Sequence, residues 1–262
     1  MTKSIFLDID GTLVSFKTHR IPQSTVEALA RAKARGVGIY ISTGRPLQLI
    51  TNLGQISHLI DGYITTNGAL CIIGGETVCS TPIDRADADT LLADSAASDF
   101  ACLVVGERGV VLHNPKPVFF DVFVRQLAVD SIDTSLTLGD IAGQRILQFS
   151  PFIDAAHEQA LMRRMTGCVS GRWHPAFTDI TSRQADKGIG LEKMAARLGL
   201  DISETMAFGD GGNDLSIIRR AGIGVAMGNA GPDVKAAADY VTTPVDDDGI
   251  LNALVGLGVI GK

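Results

Sequence analysis

Ser4-Ile5-Phe6-Leu7-Asp8-Ile9-Asp10-Gly11-Thr12 passes from apolar to acidic within a few residues. Residues 4–9 are short, β-branched and aromatic in character, which reads as a buried strand. Two carboxylates at the end of a buried strand are electrostatically costly unless a cation lies close. An Asx turn accounts for Asp10-Gly11 alone and leaves Asp8 unexplained. Working outward, Ser24-Thr25-Val26-Glu27 forms a capping-box pattern after Pro22, opening a helix over 25–35 that Gly36 closes. Residues 37–41 read as a second strand, 47–53 as a helix and 63–65 as a third strand. Strands and helices alternating through short links predict a parallel sheet with right-handed crossovers.

The rhythm changes after Asn67. Residues 69–73 and 76–80 flank Gly74-Gly75, a hairpin signal belonging to antiparallel pairing. Helices at 86–97, 119–128 and 155–165 then mix with short strands around Arg108-Gly109 and at 145–149, 168–170 and 177–181. Alternation resumes with helix 187–198, strand 205–208, helix 214–221, strand 223–227 and helices at 233–238 and 249–255. The expected architecture is α/β: a Rossmann-like parallel-sheet core over 1–82 and 184–262, discontinuous because an α+β domain, 83–183, is inserted into it.

Composition narrows the function classes. Of 262 residues, 45% are hydrophobic and 20% charged, which excludes disorder and fibrous repeats. Glycine supplies 29 of them, well above the average share near 7%. A net charge of −6 favours neither nucleic acid nor an anionic membrane surface as partner. Cys71, Cys79, Cys102 and Cys168 form no CxxC pair and read as buried thiols. The N-terminal residues show no signal-peptide pattern, and the apolar run 249–261 falls short of the roughly 20 residues a bilayer requires. A cytoplasmic protein, monomeric or weakly self-associating, is the expectation.

Four polar clusters fall just beyond the carboxyl ends of predicted core strands, the edge at which open α/β sheets bind ligands. The first is Asp8-Ile9-Asp10-Gly11-Thr12. The second, Thr43-Gly44-Arg45, offers a hydroxyl, a backbone N–H and a guanidinium, which suit phosphate oxygens. The third, Lys187-Gly188, sets a cation at a helix N-terminus against the macrodipole, which points to an anion nearby. The fourth is Gly209-Asp210-Gly211-Gly212-Asn213-Asp214, whose oxygens can surround a small hard cation. Mg²⁺ fits Asp8, Asp10 and Asp210 better than Ca²⁺, and the spacing is not that of an EF-hand.

In this order, the four clusters resemble the signature motifs of the haloacid dehalogenase superfamily. Thr66-Asn67-Gly68-Ala69 and the large insertion between the second and third motifs resemble its Cof-type, class IIB sugar-phosphate phosphatases. The resemblance implies that Asp8 is the nucleophile taking the phosphoryl group, and Asp10 the general acid and then base. It implies Mg²⁺ held by the Asp8 carboxylate, the Asp10 backbone carbonyl and Asp210, with Asp214 in support. The Ile9 and Gly44 backbones, Thr43, Arg45, Lys187 and Asn213 correspond to phosphate or substrate contacts. The expected activity is hydrolysis of small phosphate esters, hexose or pentose phosphates foremost, through an aspartyl-phosphate.

The alternative from the same superfamily is a sugar phosphomutase using the same Asp8. Gly222-Ile223-Gly224-Val225-Ala226-Met227-Gly228 invites a dinucleotide-binding reading, but it follows a helix where that fingerprint must follow a strand. A phospho-accepting receiver domain would be much shorter and lack the insertion. Phe119, Phe120 and Phe123 read as core of the inserted domain, and Trp173-His174-Pro175 as a loop there within reach of substrate. Metal binding by His174 has no second histidine at ligand spacing to support it.

Overall fold

The computed structural model describes every residue except Ala128, Asp130 and Lys262. It divides into two compact units: Met1–Gly44, Ile50–Cys79 and the chain from Asp186 onward form the first, Arg45–Leu49 and Ser80–Ala185 the second. The short 45–49 stretch groups with the inserted unit.

In the first unit, β1 (Ser4–Leu7), α1 (Gln23–Ala34), β2 (Gly38–Ser42), β3 (Gly62–Thr65), β4 (Leu70–Ile73) and β5 (Glu76–Ser80) come first in the chain. The second unit contributes α2 (Arg85–Ser98), β6 (Cys102–Gly106), β7 (Val110–His113), α3 (Pro117–Phe119), β8 (Ile146–Pro151), α4 (Ala155–Met162), β9 (Cys168–His174) and β10 (Phe177–Ser182). The first unit is completed by α5 (Lys187–Leu198), β11 (Thr205–Gly209), α6 (Leu215–Arg220), β12 (Ile223–Ala226), α7 (Pro232–Ala237), β13 (Tyr240–Val241) and α8 (Gly249–Gly256).

The large sheet has the order β13-β12-β11-β1-β2-β3-β4-β5. From β13 to β3 all neighbours are parallel, and β4 turns antiparallel to β3. Alternation along β1 decides its two faces. Ile5 and Leu7 pack with Ile39, Ile41, Met206 and Phe208 beneath α1 and α8, while Phe6 faces Tyr40, Ile64 and the α5 residues Leu191 and Met194. Both faces are buried, as parallel sheets require. The chain leaves β1 for β2 on one side and returns to β11 on the other, so the order reverses at β1 and a crevice opens at its carboxyl end.

The second unit carries an antiparallel sheet, β7-β6-β8-β10-β9. Cys102, Val104, Phe149 and Ile180 from this sheet pack with Leu91 of α2 and Leu161 of α4. Phe119 stacks on Phe123 with ring centroids 5.0 Å apart, and Phe123, Phe152 and Phe177 continue the cluster.

Several local expectations are corrected. The capping box at 24–27 does not form: Pro22 takes the N-cap position, Glu27 accepts instead from Gln23 Nε2 at 3.0 Å, and the Ser24 hydroxyl is buried without a partner. The helix expected over 47–53 is one 3₁₀ turn, Leu47–Leu49, because Ile50, Thr51 and Asn52 are poor helix formers in succession. The segment expected as an α-helix over 119–128 is the short α3 followed by a π-helix over Phe120–Gln126; its expected end, Ala128, lies outside the described residues. Phe119 and Phe123 are buried as expected, whereas Phe120 is exposed. Cys71, Cys102 and Cys168 are buried, and Cys79 is half-buried on β5. Among the described residues no helix is long and apolar enough to cross a membrane.

Candidate active site

Asp8 leaves β1 with its N–H still donating to Phe208 O of β11 at 3.1 Å, so the strand pairing itself delivers the carboxylate to the crevice. The chain then turns tightly, with Leu13 N and Val14 N both donating to Ile9 O and Gly11 N donating to Val14 O. Gly11 has φ +87°, and a Cβ there would lie 2.3 Å from Asp210 Oδ2. Glycine is therefore required both for the left-handed backbone and for the approach of the fourth motif. Thr12 Oγ1 donates to Asp210 Oδ1 at 2.9 Å, tying the first and fourth motifs together.

Lys187 opens α5 as its first residue, after Asp186, whose side chain caps the helix by accepting from Ile189 N at 2.9 Å. Its ammonium is 1% exposed and donates to Asp8 Oδ1 at 2.8 Å and Asp214 Oδ1 at 2.6 Å. The anion that a cation at this helix end called for is thus a pair of carboxylates. Asp214 has its other oxygen engaged as well, Oδ2 accepting from Asp210 N at 3.1 Å and Gly211 N at 2.9 Å. Asp214 accordingly anchors the loop and the lysine together.

One oxygen each from Asp8, Asp210 and Asp214 lies within 4.8 Å of the others. Three carboxylates face a single ammonium, and the electrostatics record the excess. Burial, reinforced by the Asp214 charge, pushes the Asp8 carboxyl well up, and Lys187 does not cancel it. Asp210 is pushed up to about 6, mainly by burial, with the Thr12 hydrogen bond opposing and Asp214 adding to the rise. Burial disfavours the charge on Lys187, yet Asp214 and Asp8 together hold it above the usual lysine range. An oxygen-only cluster with uncompensated negative charge fits a hard divalent cation.

The other predicted residues take these places. Asp10 lies in the turn after β1, bridged to Val14, and its charge acts on Asp210. Thr43 is buried at the end of β2 with its N–H on Ile64 O at 2.8 Å. Asn213 Nδ2 donates to Asn67 Oδ1 at 3.0 Å, and a Cβ on Gly44 would lie 3.1 Å from that same oxygen. Arg45 groups with the second unit and donates to Leu49 O at 3.4 Å. In the inserted unit Trp173 is 60% exposed and donates its Nε1 to Asp179 Oδ2 at 2.9 Å; His174 stacks on Phe177.

One residue of the site was not anticipated. Asn229 Nδ2 donates to Gly11 O at 2.8 Å and lies 3.3 Å from Asp210 Oδ2, while its Oδ1 accepts from Val245 N at 3.0 Å. Its position shortly after β12, at the same carboxyl edge as the other motifs, is the signal that marks it.

Comparison with known proteins points to one family. A family model described as haloacid dehalogenase-like hydrolase matches residues 5–254. The solved structure of BT4131, a sugar phosphatase of subclass IIB of that superfamily, superposes with a TM-score of 0.89 at 43% identity, covering 99% of this chain and 100% of its own. YkrA of Bacillus subtilis strain 168, whose name assigns it provisionally to the phosphatases, is 32% identical over 263 residues, 99% of each chain. A 5-amino-6-(5-phospho-D-ribitylamino)uracil phosphatase of the same organism, YcsE, is 26% identical over 96% of this chain and 94% of its own.

Proposed function

The chain belongs to the haloacid dehalogenase-like hydrolases and is a phosphatase of small phosphate esters, and from that premise we propose that it is Mg²⁺-dependent, hydrolyses sugar phosphates, and works through an aspartyl-phosphate on Asp8. The observation that carries the reading is the buried Lys187 ammonium shared by Asp8 and Asp214, with Asp210 beside them. A phosphate monoester dianion repels a carboxylate nucleophile, and such a site exists to overcome that repulsion.

In the first step an Asp8 oxygen attacks phosphorus and the bond to the ester oxygen breaks. Asp10 delivers its proton to the departing alcohol. In the second step Asp10 takes a proton from water as the water attacks phosphorus, and the bond to Asp8 breaks, releasing phosphate. Lys187 offsets the charge redistributed in both steps. The Ile9 and Gly44 backbones, Thr43 and Asn213 bind the phosphate oxygens. Asp8, the Asp10 carbonyl and Asp210 would hold Mg²⁺, supported by Asp214, and the cation would screen the phosphoryl charge.

The names of two relatives support the substrate class: BT4131 is named a sugar phosphatase, and the substrate in the YcsE name carries phosphate on a polyhydroxylated chain. The inserted unit is read as the cap that contacts the sugar. The deciding experiment is a screen of phosphorylated metabolites for phosphate release, with and without Mg²⁺. The expected result is release from sugar phosphates, lost on chelation and restored by Mg²⁺. Undiminished hydrolysis in excess chelator overturns the metal assignment. A sugar-bisphosphate requirement with little phosphate release favours the mutase instead.

A further inference from the structure

Thr66, Asn67 and Gly68, directly after β3, have φ of +49°, +53° and +93°. Asparagine and glycine tolerate the left-handed region, but threonine is branched at Cβ and does not. The Thr66 hydroxyl is moreover buried without a hydrogen-bond partner. Backbone strain of this kind persists only where the surroundings over-determine it.

The surroundings here are three other motifs of the site. Asn67 N donates to Thr43 O at 3.1 Å, at the end of β2. Asn67 Oδ1 accepts from Asn213 Nδ2 at 3.0 Å, in the loop after β11. A Cβ on Gly68 would lie 2.2 Å from the carbonyl oxygen of Asp186, the residue before Lys187. Asn213 is exposed, and an exposed amide turns broadly about its terminal torsion. One N–H on Asn213 Nδ2 is occupied by Asn67, which gives the second N–H on that nitrogen a fixed direction.

We propose that Asn67 is a positioning residue, holding the Asn213 amide and the Thr43–Gly44 turn at one separation so that phosphate meets a preformed set of donors. The proposal rests on the phosphatase reading of this site. Its contribution is preorganisation: the side chain is ordered before the ligand arrives rather than upon binding.

The variant of choice is Asn67→Gly, because glycine keeps the left-handed backbone and removes only the amide. Inorganic phosphate is titrated calorimetrically into the full chain with Mg²⁺, alongside KM and kcat for a phosphate ester and the melting temperature. The ordering cost of one side chain corresponds to a loss of about 3–10-fold in phosphate affinity, with KM rising by the same factor. kcat and the melting temperature should change little. Asn213→Ala completes a double-mutant cycle: if Asn67 acts in part through Asn213, adding Asn67→Gly to Asn213→Ala costs less phosphate affinity than Asn67→Gly costs in the wild-type chain.

Wild-type affinity in Asn67→Gly overturns the proposal, as does a full additional loss in the double variant. A variant that melts early and loses phosphate and Mg²⁺ binding together has a structural role instead, and also overturns it. A wild-type chain that binds phosphate but hydrolyses no ester refutes the hydrolase reading alone, and the binding cycle still decides the role of Asn67. Absence of phosphate binding by the wild type removes both.

Discussion

Two acids of the candidate active site and two bonded acids of the inserted unit are held in opposite directions. In the candidate active site burial pushes Asp8 well up and Asp210 to about 6, and the Asp214 charge adds to the rise at both while Lys187 opposes it. In the inserted unit Asp94 and Glu158 are held down: burial opposes this, but His157 and Arg164 bond Asp94, and Ser170, Arg172 and Thr178 bond Glu158. Asp179 of the same unit is raised by burial despite bonds from Ser150 and Trp173. A carboxyl whose folded pKa is raised costs stability when ionised, and one whose pKa is depressed adds stability when ionised. The core thus carries its site as a stored electrostatic cost, while Asp94 and Glu158 of the inserted unit brace helices α2 and α4.

The largest effect that tests this contrast is Asp8→Asn, which should abolish turnover with a native circular dichroism spectrum. Near-normal rates would place the nucleophile elsewhere. Lys187→Met follows: in saturating Mg²⁺ it should lower kcat/KM for every phosphate ester by roughly 10²–10³-fold, as for loss of one preorganised electrostatic partner. A Lys187 variant that altered the ranking of sugars and spared p-nitrophenyl phosphate would reverse the division of labour. Trp173→Ala, which also forfeits the bond to Asp179, should shift the ranking among sugar phosphates by about 1–3 kcal/mol and barely affect the artificial ester. Unchanged ratios would remove this residue from substrate recognition.

The smallest effects concern stability and have opposite signs. Without Mg²⁺, Asp8→Asn should raise the melting temperature at neutral pH, and its advantage should vanish as acid protonates wild-type Asp8. Glu158→Ala should lower the melting temperature by the equivalent of about 2 kcal/mol, the scale of hydrogen bonds to a charged group. That deficit is present above the unfolded glutamate pKa and fades as pH falls through the depressed folded value. Two variants moving the same way in a pH series of melts would dissolve the comparison.

Local pattern carried most of the fold into view. The run expected as a strand over 4–9 supplies β1 in its first four residues, Ser4–Leu7, and the Gly74-Gly75 hairpin and the alternation after 187 appear as read. What escaped depended on distant partners. The 24–27 capping box fails because Gln23 competes for Glu27. Strand β13 consists of two residues, too short for periodicity, and exists because Val225 and Ala226 pair with it. The acids and the lysine stood out in the sequence because charge at the end of an apolar run is conspicuous. Asn229 and the bridging role of Asn67 did not, since a neutral amide in a turn has the same appearance whether it holds a site or merely ends a strand.

Asp8 and Lys187 stand 179 positions apart in the chain, and Thr12 and Asp210 stand 198 apart. β1 finds β2 early, but β11, its other neighbour, is made only after the whole inserted unit. On a ribosome that unit is almost one unbroken stretch, free to fold as soon as it emerges, since domains fold as units during synthesis. The nucleophile loop meanwhile has neither its lysine nor its fourth motif. Closing so long a loop adds little to the equilibrium cost but slows the search. Catalytic competence is therefore the last property this polypeptide acquires, arriving only when Asp214 joins a chain whose first strand was made some 200 residues earlier.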